Sequence, residues 1–422
     1  MIDKTILQKI GIDENSIKET VNEIDKKNVF TISLKEECKV CPKCQLKNIR
    51  KKDIKTRTIK CKIFDDSHTT IKLVYRRYRC NNCKAVFNEN ISFVEKRQRV
   101  SKQTIQSILK FLIEPGVTYE HAARHYGLSV TEIQDIFDKN VNYERKKLPE
   151  VFCIDECHNK RQFDKNYCVI LTNPFNSDPI DIFQDRTLPS LKNYFSKISL
   201  NERLNVQYVS MDMWEPYKET IKEFFPNAII GIDPFHVISN IVRAVKKIEL
   251  GVLATLGDKP FQRGILKKYF DYFIGFKKNH QKKLEDPFYK SKLSREKVSN
   301  IILSINATLT AAIKLLQSYR LINKICSKRN FEIMFNKLIK SNPIYNMPCF
   351  LSVKTMFNNW FQEISNSFIC FGGKRITNGP AEGFNSKYKK LMRNANGVKN
   401  FKRFRNRLIH CEKHKKCKSQ KL

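Results

Sequence analysis

The spacing of hydrophobic positions changes several times along the chain, and each change predicts a different kind of element. Residues 1–36 are mostly polar and predict a short helix with an irregular lead-in. Residues 71–80 (IKLVYRRYRC) alternate between apolar and polar positions, which is the period of a strand with one buried face. Residues 101–139 return to helical spacing with one tight turn. The first third of the chain therefore predicts a small β region followed by a helical one.

After residue 150 the pattern becomes a series of short β-rich runs separated by turns. The runs are VFCIDE (151–156), YCVILTNP (167–174), PIDIFQD (179–185), VQYVSMD (206–212) and AIIGID (228–233). Helical spacing separates the last three runs, and the resulting β-β-β-α-β-α-β order predicts an α/β domain with a mixed sheet. Residues 237–365 are mostly helical, and 379–410 predict one or two helices with a basic face.

The net charge of the chain indicates what kind of molecule it binds. The 422 residues include 79 Lys+Arg and 42 Asp+Glu, a net charge of +37, which predicts a polyanionic partner, nucleic acid before a membrane surface. The chain is also rich in Lys, Asn and Ile, as AT-biased coding produces, so part of the surplus is compositional. No apolar run approaches the ~20 residues of a membrane span. With no signal-like start, we expect a cytoplasmic protein in a reducing compartment.

Two CxxC pairs predict a structural zinc site. Cys41 and Cys44 form one pair, and Cys80 and Cys83 form the other, with strand-like residues between them. Each pair can turn two thiolates toward one tetrahedral Zn²⁺. Cys38 has the same spacing to Cys41 and is an alternative ligand. Two unrelated pairs of buried free cysteines are the competing interpretation.

Residues 118–139 predict a helix-turn-helix. Small alanines follow Thr118, Gly127 provides the turn, and Ser129 can cap a recognition helix from about 130 to 139. Ile133 and Ile136–Phe137 face inward, and acidic residues are unusually frequent on the outer face. We expect contacts with DNA from residues on both helices, namely Arg124, Thr131 and Gln134. A plain three-helix bundle is the alternative.

Three carboxylates have the placement of a two-metal site. Asp155 and Asp212 each end a predicted strand, and Glu382 lies in the first turn of a helix that Gly379 and Pro380 begin. Acids at neighbouring strand ends can meet although they are far apart in sequence, and they can hold two Mg²⁺ ions. Each acid also has a simpler interpretation, as a turn residue or as a complement to the helix dipole.

Together, these motifs resemble the ISL3 family of bacterial insertion-sequence transposases. The blocks are CPKC and CNNC, the helix-turn-helix, CIDE, VSMDMWEPY, FFPNAIIGIDPFHV and NGPAEGFNSKYKKLMRNANGVKNFKRFRNRL, from about Cys38 to Leu408. The resemblance implies a DDE transposase with an RNase H-like core and a helical insertion before the last acid. It implies that Asp155, Asp212 and Glu382 are the catalytic metal ligands, with Mn²⁺ as an alternative to Mg²⁺. It also matches Cys41, Cys44, Cys80 and Cys83 to the family's zinc element.

Further residues have a functional and a structural interpretation. Asp233, His236 and Asn385 are possible accessory residues, because they lie in the DPFH block and beside Glu382; a turn aspartate and a half-buried histidine are the alternative. A basic stripe on the last helices predicts contacts with DNA phosphates. It comprises Lys387, Lys389, Lys390, Arg393, Lys399, Lys402, Arg403, Arg405 and Arg407. A solvated charged face is the competing interpretation.

The predicted protein is therefore a multidomain α/β DNA transposase with a mixed-sheet core. Its partners are double-stranded DNA, both terminal inverted repeats and target, and at least a homodimer on DNA is expected at the nucleoid. A non-catalytic DNA-binding derivative and a structure-specific nuclease are the rival functions. The predicted segments are a lead-in helix (1–36), a zinc ribbon (37–98), a helix-turn-helix (99–145), the first part of the core (146–243), a helical insertion (244–370), the final core helices (371–410) and a basic tail (411–422).

Overall fold

A computed structural model describes most of the chain. The described residues are 7–8, 10–22, 29–35, 39–62, 68–96, 98–159, 163–257, 259–275, 284–287, 290–395 and 398–419. Contacts within the chain separate two compact units, residues 145–387 and residues 1–144 together with 388–422. The two units are described separately below.

The strands are β1 (Ile17–Asn22), β2 (Val29–Leu34), β3 (Ile49–Lys62), β4 (His68–Cys80), β5 (Val86–Asn88), β6 (Val151–His158), β7 (Tyr167–Thr172), β8 (Pro179–Gln184), β9 (Tyr208–Met211), β10 (Ile229–Ile232), β11 (Cys370–Phe371) and β12 (Lys374–Arg375). The helices are α1 (Lys102–Phe111), α2 (Tyr119–Tyr126), α3 (Val130–Asn140), α4 (Leu188–Ser196), α5 (Leu200–Leu204), α6 (Glu215–Phe224), α7 (Pro234–Thr255), α8 (Pro260–Phe273), α9 (Arg295–Ile305), α10 (Ala307–Ile325), α11 (Lys328–Ser341), α12 (Leu351–Asn366), α13 (Gly379–Asn394) and α14 (Phe401–Ser419). Short 3₁₀ turns lie at Glu14–Ser16, Pro343–Asn346 and Pro348–Phe350.

A five-stranded sheet begins the first unit, in the order β1-β2-β4-β3 with β5 on β4. The long antiparallel pair β3–β4 is the predicted ribbon, and its register sets Ile49 opposite Cys80. The lead-in helix predicted over 1–36 is wrong for residues 17–22 and 29–34, which form β1 and β2. Because β2 pairs in parallel with the distant β4, its apolar face is buried in a sheet that local polarity does not reveal.

The helix-turn-helix has the predicted bounds. Ser129 caps α3 through a reciprocal capping box with Glu132, and Gly127 ends α2 with φ +61° in the left-handed region that glycine adopts without steric cost. Ile133 and Phe137 are fully buried, as predicted. The capping and turn residues fix these helix ends, so a sequence pattern suffices to predict them.

The last helix of the chain packs on the helix-turn-helix within the same unit. The side-chain amide of Asn406 donates to the carbonyl of Val141 at 3.1 Å, and His410 Nε2 lies 2.9 Å from the carbonyl of Leu109. The helix continues to Ser419, into the basic tail predicted from residue 411.

The second unit contains a five-stranded mixed sheet, which confirms the predicted α/β class. Its order is β10-β9-β6-β7-β8. Strands β6, β9 and β10 are parallel, whereas β7 and β8 run antiparallel to their neighbours. Helices α4, α6 and α7 share one hydrophobic core with the sheet through side chains such as Phe195, Tyr217 and Ile241.

Helices α7 to α12 follow this sheet and share its core. The segment predicted as a helical insertion, residues 244–370, contains the second half of α7 and all of α8 to α12. Within the described part of the chain, no helix is long and apolar enough to cross a membrane.

Candidate functional site

Two predicted acids come together where the parallel pairing of β6 with β9 ends. The prediction that Asp155 ends its strand is wrong, because β6 continues to His158 alongside β7. Strand β6 pairs with β9 so that Cys153 lies beside Ser210. Continuing that register by two residues sets Asp155 beside Asp212, and neighbouring strands lie about 4.8 Å apart. The two aspartates are therefore adjacent although 57 positions separate them, since the residue numbers differ by that amount in every pair of this ladder.

A third aspartate extends the row. Strand β10 pairs in parallel with β9, with Ile232 beside Met211, so the next residues in register are Asp233 and Asp212. The backbone amide of Asp233 donates to the carbonyl of Met211 at 3.1 Å, which continues the ladder by one bond. Asp155, Asp212 and Asp233 thus form one row across three strands.

Helix α13 supplies the predicted glutamate. The backbone amide of Glu382 donates to the carbonyl of Asn378 at 2.8 Å, which begins the helix, and the amide of Asn378 donates to Asp233 Oδ1 at 3.0 Å. Ligand atoms of Glu382, Asp233 and His236 lie within 4.8 Å of one another. The glutamate is therefore grouped most closely with the two residues of the DPFH block.

Two accessory residues hold the aspartates in place. Asn385 Nδ2 donates to Asp155 Oδ2 at 2.6 Å. His236 Nε2 lies 2.7 Å from Asp212 Oδ1. Both side chains were predicted only as possible accessory residues, and both contact a predicted metal ligand.

Burial and mutual repulsion make the cluster electrostatically strained. Burial first, and then the charge of Asp212, raise the pKa of Asp155 to about 7. Burial also raises the pKa of Asp233, and burial together with Asp233 raises that of Glu382. Burial opposes the charged imidazolium of His236, but the hydrogen bond and charge of Asp212 outweigh it and raise the pKa of His236.

The donor set fits a hard divalent cation. Asp233, His236 and Glu382 form one group, and the row adds Asp212 and Asp155 beside it; carboxylate oxygens of this kind suit Mg²⁺ or Mn²⁺. Asp233 Oδ2 is buried and has no hydrogen-bond partner among the described residues. A bound cation would satisfy that oxygen and relieve the repulsion that raises the carboxylate pKa values.

A network of contacts around Glu156, the residue after Asp155, was not predicted. Glu156 forms an ion pair with Arg186 and accepts a hydrogen bond from Tyr217 Oη at 2.9 Å. The Arg186 guanidinium lies over the rings of Tyr167 and Trp214, at 3.8 and 4.4 Å from their centroids. Glu156 follows Asp155 directly, but its partners are 30 and 61 positions away, so only the fold reveals the network.

The four predicted cysteines converge in the first unit. Cys41 Sγ lies 3.6 Å from Cys83 Sγ, and Cys44 Sγ lies 3.5 Å from Cys80 Sγ. All four sulfur atoms lie within 4.8 Å of one another. Backbone hydrogen bonding from Cys83 is the main cause that lowers the pKa of Cys80 to about 7, which favours the thiolate that a metal requires. The set fits a tetrahedral Zn²⁺ site. Cys38 lies outside the described residues.

The side chains predicted to contact DNA fall into two groups. The exposed ones are Arg124, Thr131, Lys389, Lys390, Arg393 and Lys402, and Gln134 and Lys387 are half-buried. Arg403 instead binds Asp138 on α3 at 2.7 Å, and Arg405 Nη1 donates to the carbonyl of Tyr143 at 2.7 Å. These two contacts attach α14 to the helix-turn-helix and the residues that follow it.

Comparison with protein families matches residues 152–408 to the model of a family described as transposase, of the DDE type named ISL3. The match covers more than half of the chain and includes the aspartate row, His236, Glu382 and Asn385. A comparison with curated proteins found no match.

Proposed function

Because this chain belongs to the ISL3 family of DDE transposases, we propose that it binds the ends of a mobile DNA element, hydrolyses a phosphodiester bond there and joins the freed 3′ end to target DNA. The observation that carries this proposal is the aspartate row across β6, β9 and β10, with Glu382 beside it. The strand order β10-β9-β6-β7-β8 supports an RNase H-like core.

We assign the metal ligands to the three predicted acids. Asp155, Asp212 and Glu382 would hold two Mg²⁺ ions, or Mn²⁺ in their place, with Asp233 as an additional oxygen donor. When bound, the ions supply charge neutralisation at the phosphate and make water a stronger nucleophile at neutral pH. Strand transfer breaks one phosphodiester bond as another forms, so it needs no nucleotide cofactor.

The protein residues orient this site. Asn385 fixes one oxygen of Asp155, and His236 fixes one oxygen of Asp212, so both carboxylates are held before metal and substrate arrive. The ion pair between Glu156 and Arg186 holds the residue next to Asp155 on β6. The accessory residues thus act through the carboxylates and are positioning residues.

Replacing His236 by alanine should lower the cleavage rate by about 10–100-fold, the usual cost of losing a partner of a metal ligand. The half-saturating Mg²⁺ concentration should rise, because Asp212 loses the group that orients it. DNA affinity should not change. Asn240→Ala, one helical turn further along α7, is the matched control and should cleave normally. An unchanged Mg²⁺ requirement in His236→Ala would assign the histidine to packing alone.

The raised pKa of Asp155 predicts a pH-dependent stability in Mg²⁺-free buffer. The folded protein binds this proton more tightly than the unfolded chain does, so the stabilisation is present below pH 4 and is lost as the pH rises through about 7. The loss is at most about 4 kcal/mol for a shift of this size. The melting temperature of Asp155→Asn should therefore rise relative to that of the wild type as the pH is raised from 4 to 8. Added Mg²⁺ should reduce the difference between the two melting temperatures at pH 8. If the two melting temperatures change with pH in the same way without Mg²⁺, the assignment is contradicted.

The first unit is the proposed DNA-binding part. We propose that the cysteine cluster binds a structural Zn²⁺ and that the helix-turn-helix recognises the terminal inverted repeats of double-stranded DNA. The exposed lysines and Arg393 of α13 contribute phosphate contacts, which set affinity and its salt dependence. Paired ends require at least a homodimer on DNA, and the proposed place of action is the bacterial nucleoid.

A strand-transfer assay separates this proposal from its rivals. A pre-cut, labelled element end is incubated with supercoiled plasmid and Mg²⁺, and label in the plasmid band is measured. A transposase joins the end to the plasmid, and omission of the divalent metal abolishes joining. A structure-specific nuclease cuts without joining, and a non-catalytic derivative binds the end without either product.

A further inference from the structure

Within the first unit, the helix-turn-helix and the residues from the end of α13 to the middle of α14 enclose a groove. This groove has no role in the proposed catalytic reaction. The cavity measures about 530 Å³. Side chains at the start of α2 and on α3 form one wall, and residues between the end of α13 and the middle of α14 form the other. The lining side chains include Thr118, Tyr119, Gln134, Lys399, Arg403 and Arg407.

Two buried polar atoms in this groove have no hydrogen-bond partner among the described residues, Tyr119 Oη and Arg407 Nη1. Arg407 is 3% exposed. Its Nη2 donates to the carbonyls of Glu114 and Val117, each at 3.0 Å, which fixes the guanidinium. Leaving such a donor unpaired costs about 1–3 kcal/mol, so a buried guanidinium with a free N–H indicates a missing acceptor.

The charges around the groove favour an anion. Arg403 binds both oxygens of Asp138 and so neutralises an acid of the recognition helix. Glu120, which also lines the groove, is exposed and lies 3.8 Å from Arg124. Arg407 and the exposed Lys399 have no ion-pair partner in the described chain, which leaves a surplus of positive charge in the groove.

We propose that this groove binds one backbone phosphate of the duplex held by the helix-turn-helix, with Arg407, Lys399 and the hydroxyl of Tyr119 as its donors. The inference rests on the proposed DNA-binding function and makes it specific. Guanidinium groups bind phosphate oxygens through paired N–H donors, and ammonium groups bind them as point charges. Because Gln134 of the recognition helix lines the same groove, a phosphate held here sets the register of that helix on the bases.

The test measures binding of the full-length protein to a labelled duplex carrying the element end, over a series of salt concentrations. Lys399→Gln should weaken binding by about 5–10-fold at low salt and lower the slope of log K against log salt by about 1. The loss should be equal for specific and unrelated sequences. Lys297→Gln, an exposed lysine of α9 in the other unit, is the matched control and should bind like wild type. Arg407→Lys keeps the charge but not the two-pronged donor geometry, and it should weaken binding if its melting temperature shows that it is folded.

A neutral methylphosphonate placed at successive positions of the duplex identifies the contact. One position should weaken wild-type binding and have little further effect on Lys399→Gln, because both changes remove the same interaction. Additive losses at every position, or an unchanged salt slope in Lys399→Gln, would overturn the groove assignment while leaving DNA binding intact. Failure of the wild-type protein to bind the duplex would overturn the proposed function as well.

Discussion

Asp155→Asn should reduce DNA strand cleavage by about 10³-fold or more and leave DNA affinity unchanged. The substitution removes a ligand charge at one end of the aspartate row, beside Asp212. Metal ions at such sites contribute several kcal/mol of transition-state stabilisation, and each 1.4 kcal/mol changes the rate by about tenfold. The size is nearly preserved, so a loss of cleavage reports the missing charge and not a cavity.

Asp181→Asn is the matched control for this experiment. Asp181 lies on β8 of the same sheet, and both aspartates are 6% exposed. Its carboxylate accepts a hydrogen bond from Tyr194 Oη at 2.6 Å and lies outside the proposed metal site. Normal cleavage by Asp181→Asn, together with inactive Asp155→Asn, assigns the effect to the site. Equal losses in both variants would show that burial of an aspartate in this sheet matters for folding only.

The second large effect is expected from removal of zinc. Wild-type protein should contain one Zn²⁺ per chain, and Cys41→Ser or Cys80→Ser should lose it, because three thiolates leave the tetrahedral site incomplete. Structural zinc contributes about 10–16 kcal/mol in small zinc domains, so the β3–β4 pair should lose its protection against hydrogen exchange.

A buried cysteine of the β3–β4 pair provides the control for zinc loss. Cys61 lies on β3, and burial raises the pKa of its thiol to about 12, which disfavours metal binding. Cys61→Ala should therefore retain a full equivalent of zinc by elemental analysis. Zinc content below about half an equivalent in wild type, or full zinc in Cys80→Ser, would contradict the proposed centre.

Local signals were sufficient where local geometry determines structure. Ser129 fixes the start of α3 through a capping box, and Gly127 fixes the end of α2 through a left-handed turn, so these two helix ends were predicted from sequence. The mixed sheet was predicted because its strands are short apolar runs between clear turns. The four cysteines were predicted to converge because CxxC spacing restricts each pair to one site.

Long-range pairing limited the remaining predictions. Strands β1 and β2 were predicted as a helix because their partner β4 lies far along the chain. The ion pair of Arg403 with Asp138 was not predicted, because the two residues are 265 positions apart. The place of Asp233 in the aspartate row follows from the register of β9 and β10, which a single sequence does not encode locally.

The most direct measurement is cleavage of a labelled duplex that carries the element end, with products separated on a denaturing gel. Wild-type protein with Mg²⁺ should release one strand with a 3′-OH at the end of the element. Asp155→Asn, Asp212→Asn and Glu382→Gln should bind the duplex with wild-type affinity and give no product. Wild-type product from Glu382→Gln, or no product from a wild-type protein that binds the end, would contradict a catalytic site built from these three carboxylates.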